Sequence, residues 1–163
     1  ASRGLGDVYK RQIRWRIPVC YENEYAPDIE DVSRSLKVST SEIIKQHTSV
    51  ELEVFMMGFL PGFPYLGLLP EIFDLPRRVE PRVHVPPRSI SVAARQTTIY
   101  TIDSPGGWHL IGQTPVDFYD PNRENPVLVK AGDKVSFFAI DSKEYPAVRR
   151  ALKADEYPLI MDC

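Results

Sequence analysis

Three stretches of the 163-residue sequence combine side chains able to hold a small ligand. The first, Gly58-Phe59-Leu60-Pro61-Gly62-Phe63-Pro64-Tyr65-Leu66-Gly67, puts three glycines, two prolines and three aromatic rings into ten residues. Glycine permits close backbone approach, proline fixes its own φ, and the rings offer flat apolar surface, so this stiff loop can wall a pocket. The same rings can equally tuck into the protein's own core. The second stretch is basic: Arg77, Arg78, Arg82 and Arg88 are interrupted by Pro76, Pro81, Pro86 and Pro87, with His84 among them. Extended, proline-stiffened backbone can aim several guanidiniums one way, and each fork of donors matches the two oxygens of a carboxylate or phosphate. Arg82, between Pro81 and the alternating Val83 and Val85, is the one singled out; the alternative for any of them is an ordinary solvated charge. The third stretch runs from Ser104 to Pro115. Its Pro105-Gly106-Gly107 makes a tight turn, Trp108 and Leu110 then share one strand face, and His109 and Ile111 share the other. Gln113 and Thr114 follow at the strand end, suited to hydrogen-bond an amide or carboxylate. A structural turn with the indole in the core is the alternative for Trp108.

Among the three histidines, His47 stands at the end of an expected helix, where the dipole favours a protonated ring. That ring can act as acid or base or anchor an anion; capping the helix end explains its place equally well. No HxH, HExxH or Cys/His pairing exists, so no metal site is expected, and there is no P-loop, GxGxxG or GxSxG elbow. Cys20 and Cys163 read as unpaired thiols. With 43% hydrophobic residues and 20 basic against 22 acidic groups, net −2, the chain can bury a core without polyelectrolyte character. Nucleic acid is therefore not an expected partner. No apolar run is long enough for a membrane span or a secretory leader, which points to a cytoplasmic protein.

The elements that must position these groups are short. Alternation of Trp15, Ile17 and Val19 predicts a strand over Ile13 to Tyr21, which Pro18 restricts to an edge or a strand start. Pro27 and Asp28 open a helix with Ile29, Val32 and Leu36 on one face, ending near Lys37. Ser39 and Glu42 have capping-box spacing for a second helix, Ser41 to Gln46, with Ile43 and Ile44 inward. A strand follows over Glu51 to Met57. Then 11 of the 15 prolines crowd between Pro61 and Pro126, which excludes long helices there. Short β-branched runs remain over Val83 to Val85, Ser89 to Ala93, Thr97 to Ile102 and His109 to Ile111, spaced as in a sandwich or barrel. Val127 to Lys130, a turn at Ala131-Gly132-Asp133, and Lys134 to Ile140 read as a strand pair, and Tyr145 to Lys153 as a closing helix. Residues 1–16 carry five basic groups and one acid without helical or strand periodicity, and read as an extension or the remnant of a lost N-terminal domain; residues 17–163 form the domain. Both ends look cut, since the chain starts on Ala1 and stops at Cys163 directly after an apolar run.

The three ligand-type stretches together resemble the allophanate hydrolase subunit 1 and KipI-type proteins, the family of the 5-oxoprolinase B component. The likeness rests on Ile17-Pro18-Val19-Cys20-Tyr21, His47, Met57 to Gly67, Pro76-Arg77, Pro81-Arg82, Val85-Pro86, Gln96-Thr97, Ile99-Tyr100, Ser104 to Trp108, Ile111 to Pro115, Asp120-Pro121 and Ala131 to Val135, in order over Ile17 to Ile140. The resemblance implies a mainly β fold, a cyclophilin-like barrel of the carboxyltransferase group with a few short flanking helices, preceded in full-length relatives by a small α/β domain. It implies a component of an ATP-dependent 5-oxoprolinase, inactive alone, that works with subunits A and C to open 5-oxo-L-proline to L-glutamate, with ATP as co-substrate. The rival class is a KipI-like binding module that inhibits a sensor histidine kinase. By likeness His47 and Arg82 face anionic groups. Phe59, Pro61, Gly62, Phe63 and Tyr65 form the wall, while Gln96, Trp108, Gly112, Gln113 and Thr114 bind the small carboxylate or lactam. All are expected to converge on one concave face. Relatives usually carry glycines near Ser91 to Thr98, so Arg95 and Thr98 are expected to narrow the floor of that groove.

Overall fold

The computed structural model describes residues 12–161. Its strands are β1 Arg14–Cys20, β2 Leu52–Met57, β3 Pro64–Gly67, β4 Arg82–Val85, β5 Ser89–Ala93, β6 Gln96–Ile99, β7 Ser104–Gly106, β8 His109–Gln113 and β9 Lys134–Ile140. Seven of them close into a barrel in the order β1, β8, β5, β6, β3, β2, β9, with β9 returning to β1, and β4 and β7 form a separate two-stranded ribbon. Helices α1 Ile29–Leu36, α2 Thr40–Thr48 and α3 Glu144–Lys153 flank the barrel. The fold is the mainly β, cyclophilin-like barrel with short helices that the sequence led one to expect. No described helix is long and apolar enough to cross a membrane.

Period-2 alternation fills the interior. Trp15, Ile17 and Val19 of β1 meet Leu52 and Val54 of β2, Leu66 of β3, Ile90 and Val92 of β5, Ile99 of β6, Ile111 of β8 and Val135 and Phe137 of β9 in one core. Strand β1 lies parallel to β9 along its whole length, Arg14↔Lys134 to Cys20↔Ile140, but touches β8 only at Cys20↔Gln113. Much of its second edge is thus free of β8, which is where a sheet tolerates Pro18. Near the start of β1 that edge is taken by the C-terminal segment, through Arg16 N to Leu159 O (2.7 Å) and Met161 N to Arg14 O (2.8 Å). Arg14, Trp15 and Arg16, assigned on sequence grounds to an extension over 1–16, are therefore barrel residues. The rest of that basic segment, residues 1–11, and Cys163 lie outside the described residues. Cys20 is a free, buried thiol.

Two expected elements are corrected. Val127 to Lys130 is not a strand paired with β9, because the turn after it is bound elsewhere. The buried Asp133 carboxylate accepts from Ile13 N, Trp15 Nε1, Lys130 N and Lys130 Nζ, while Gly132 N donates to Val54 O, and β9 is thereby aligned with β1 and β2. Pro64–Gly67, expected as loop, is β3, with its proline at the first position where no ladder donor is missed. The capping box is present, Glu42 N donating to Ser39 Oγ at 3.0 Å, but α2 extends to Thr48, so its second buried side chain is His47, one turn beyond Ile43, while Ile44 is half-buried.

Ala94 and Arg95 form the two-residue β5–β6 turn, both at positive φ (49° and 61°). Such turns favour glycine or asparagine. Arg95 and Thr98 do not narrow a groove floor: Arg95 Nε donates to Leu69 O, and Thr98 is fully buried with its hydroxyl paired to that of Ser91. Replacing Ala94 by Gly relieves about 1–2 kcal/mol of left-handed strain against roughly 0.5–1 kcal/mol of added chain entropy. The Ala94→Gly protein is expected to be more stable by about 0.5 kcal/mol, as a higher urea midpoint at unchanged slope.

Candidate functional site

A second apolar cluster lies apart from the barrel's core and joins barrel strands to the ribbon. Phe63, Val85, Tyr100 and Leu110 are buried in it, with Leu60 and Tyr65 packed alongside. Phe63 and Tyr65 share one face of the chain entering β3 because they are two residues apart, and Tyr100 follows β6. The ribbon brings Pro81 and Gly106 across from these rings, since Arg82 pairs with Gly106. Between them lies a cavity of about 440 Å³ lined by Phe59, Phe63, Tyr65, Tyr100 and Trp108 together with Arg77, Arg78, Pro81, Gly106 and Gly107. The rings meet edge to face: Phe63 stands 5.1 Å from both Tyr65 and Tyr100, Phe59 is 5.3 Å from Phe63, and Tyr65 is 6.2 Å from Trp108. The loop is shaped by positive φ at Phe59 and Gly62, and a Cβ at Gly62 would lie 2.8 Å from Phe118 O. Pro61 is on its exposed side, its carbonyl accepting from Thr101 Oγ1 at 2.6 Å.

Arginine reaches this cup through a buried carboxylate. Asp28, immediately before α1, is 1% exposed; Arg82 grips both its oxygens (2.5 and 2.6 Å), Arg78 Nη1 donates to Oδ1 (2.7 Å) and Leu110 N to Oδ2 (2.7 Å). Burial pushes the Asp28 carboxyl up, but the hydrogen bonds from Arg82 and Leu110 and the charges of both arginines outweigh it, leaving it below the ordinary carboxylate value. One carboxylate between two guanidiniums leaves one positive charge over, and the arginine lining the cup is Arg78, with Arg77 beside it. The cup is thus a flat-walled apolar pocket with guanidinium at its rim, a fit for a small ring bearing a carboxylate.

Of the expected site residues, Phe59, Phe63, Tyr65 and Trp108 meet here, while Pro61 and Gly62 shape the loop. Several others do not arrive. Arg82 is spent on Asp28 and does not line the cup. Gln113 Nε2 donates to Pro87 O, and Thr114 is fully buried with its hydroxyl accepting from Val116 N. Gly112 is a packing glycine, since a Cβ there would lie 2.7 Å from Val19. Gln96 is in a separate shallow cavity with Glu53, Phe55 and Lys134. His47 is sealed in the core: Nδ1 pairs with Tyr21 Oη (2.7 Å), Nε2 with Thr97 Oγ1 (3.1 Å), and the ring stacks on Phe137 at 4.8 Å. Burial drives its pKa down to about 3, so the expected protonated, anion-facing imidazole is replaced by a neutral one. Asp28, Tyr100 and Gly106 also belong to the site, although no local pattern in the sequence marks them. A larger polar cleft, about 570 Å³, lies by α3, where Arg149 and Lys153 already pair with Asp117; none of the expected site residues lines it.

A closed mainly β barrel carrying an aromatic, arginine-rimmed cup defines a carboxyltransferase-type domain. The chain belongs to that family: the carboxyltransferase domain, subdomain C and D, matches residues 6–129. It is 44% identical over 133 residues to the 5-oxoprolinase B component of Bacillus subtilis, covering 82% of this chain and 55% of that protein. To the corresponding 5-oxoprolinase component of Escherichia coli it is 45% identical over 121 residues, covering 74% and 56%. The chain thus spans little more than half the length of these relatives. A conserved uncharacterized protein from Pyrococcus horikoshii superposes with a TM-score of 0.77 at 39% identity, covering 88% of this chain and 66% of that one. The urea amidolyase of Kluyveromyces lactis shares the fold at a TM-score of 0.74 and 15% identity, over 91% of this chain and 11% of that one.

Proposed function

We propose that this chain is the substrate-holding part of a cytoplasmic, ATP-dependent 5-oxoprolinase, a component that works with subunits A and C and turns over nothing alone. The carrying observation is the cup itself, five aromatic rings with Arg77 and Arg78 at the rim. Relatives that bear the name of the 5-oxoprolinase B component support the same reading. In it, 5-oxo-L-proline lays its flat lactam ring against the rings while Arg78, steered by Asp28, holds the carboxylate. A lactam is a poor electrophile, and ATP supplies the phosphorylation that opens its ring carbon to water, as co-substrate of the assembled complex. This chain's residues bind the ring, orient it and keep bulk water from its apolar face.

The test is co-expression of the full-length protein with the A and C subunits, scoring ATP-coupled release of glutamate from 5-oxo-L-proline. Arg78→Ala is expected to lower kcat/KM by about 30-fold, the loss of one charge-assisted contact of roughly 2 kcal/mol. Turnover by the assembled complex that is indifferent to Arg78→Ala overturns this assignment of the site.

A further inference from the structure

Tyr100 brings a hydroxyl to the cup. The residue is 3% exposed and lines the cavity, yet its hydroxyl has no hydrogen-bond partner among the described residues. The other buried tyrosine hydroxyls are matched, Tyr21 with His47 and Tyr145 with Thr114 O. The hydroxyl opens on the cavity, whereas Ser104 Oγ is the fully enclosed side-chain atom without a partner among the described residues, so a ligand seated in the cup can supply the acceptor that the protein does not. Phe63 at 5.1 Å and Phe59 at 6.5 Å pack edge to face on its ring. Its oxygen lies over Gly106, where a Cβ would collide with it, so the ribbon keeps a glycine where the hydroxyl needs room.

We propose that Tyr100 contacts the ligand and sets specificity, its Oη donating a hydrogen bond to a carbonyl oxygen on the ring of a small carboxylate seated in the cup. This rests on the reading of the cup as a 5-oxoproline site and adds the group that reads the lactam oxygen. Burial, with the nearby Tyr65 hydroxyl adding to it, pushes the Tyr100 phenol up to about 12, so it keeps its proton at neutral pH and serves as a neutral donor. Arg77 and Arg78 then remain for the carboxylate. Tyr65 is only half-buried, so water can satisfy its hydroxyl.

The experiment measures binding to the full-length protein assembled with its A and C subunits, using calorimetry with 5-oxo-L-proline and with cyclopentanecarboxylate, a ring of the same size without the carbonyl. Tyr100→Phe keeps the ring and its packing. It is expected to weaken 5-oxo-L-proline about tenfold and to leave cyclopentanecarboxylate unchanged. Equal affinity of wild type and Tyr100→Phe for 5-oxo-L-proline overturns the role of Tyr100 while leaving the site in place. If the wild-type complex binds neither ligand, the site reading fails, and the proposal with it.

Discussion

Lowering the pH from 7 to 4 is expected to remove about 3 kcal/mol of folding stability, and His47→Gln is expected to abolish most of that slope. The unfolded chain takes a proton on this imidazole near its ordinary value of 6.5, whereas the folded protein takes none until about 3. Between those values the unfolded state binds more protons, so stability rises with pH through the window and levels off above it. The cause is burial: the ring is fully enclosed between Tyr21, Thr97 and Phe137, and a cation there would have no carboxylate to pair with among its contacts. Asp28 acts in the same direction but lower. Its depressed carboxyl contributes stability that is present above the ordinary value of 3.8 and lost as pH falls through the folded one. Urea unfolding at half-unit steps from pH 4 to 7 separates the two. A wild-type profile that is flat over this range, or a His47→Gln profile as steep as wild type, refutes the assignment.

Asp28→Ala is expected to be the other severe change, costing about 3 kcal/mol and loosening the cup at once. Its removal leaves Arg82, about a quarter exposed, and the Leu110 N–H without their acceptor, and frees Arg78 from the carboxylate that aims it. Most of the cost is the stranded charge rather than the worth of the pairs, so Arg82→Met added to Asp28→Ala is expected to restore about half of it. Asp28→Asn, which still accepts from Leu110 N, is expected to fall between. Chemical unfolding of the three variants reads the ranking; a double variant no more stable than Asp28→Ala contradicts the stranded-charge account.

Much of the barrel was legible from residue types because alternation is a local signal. Trp15, Ile17 and Val19 announce their strand, Ser39 and Glu42 announce the start of α2, and the proline-dense middle could only be short strands. What alternation does not say is what covers each face. Phe63, just before β3, and Tyr100, just after β6, belong to a cluster apart from the barrel core, and only the ribbon, assembled from chain some twenty residues away, makes that side a cup. Arg82 has the charge and spacing of a ligand contact, but its partner lies 54 residues earlier, and no local pattern announces that Asp28 will be buried. His47 departs from its expected role for a related reason. The helix dipole is a property of the last turn, whereas the desolvation that overrides it comes from Thr97 and Phe137 on distant strands. Gln113 and Thr114 had the right chemistry for a ligand, and the backbone used it first.

The parallel union of β1 with β9 has a consequence for synthesis. A ribosome delivers the first of these strands more than a hundred residues before its mate, so the circle cannot be joined until the chain through Ile140 has emerged. Throughout that interval Ile17 and Val19 have no lasting shelter, and nascent chains stalled short of Ile140 are expected to be held by chaperones or lost to proteases rather than to wait as a stable half-barrel.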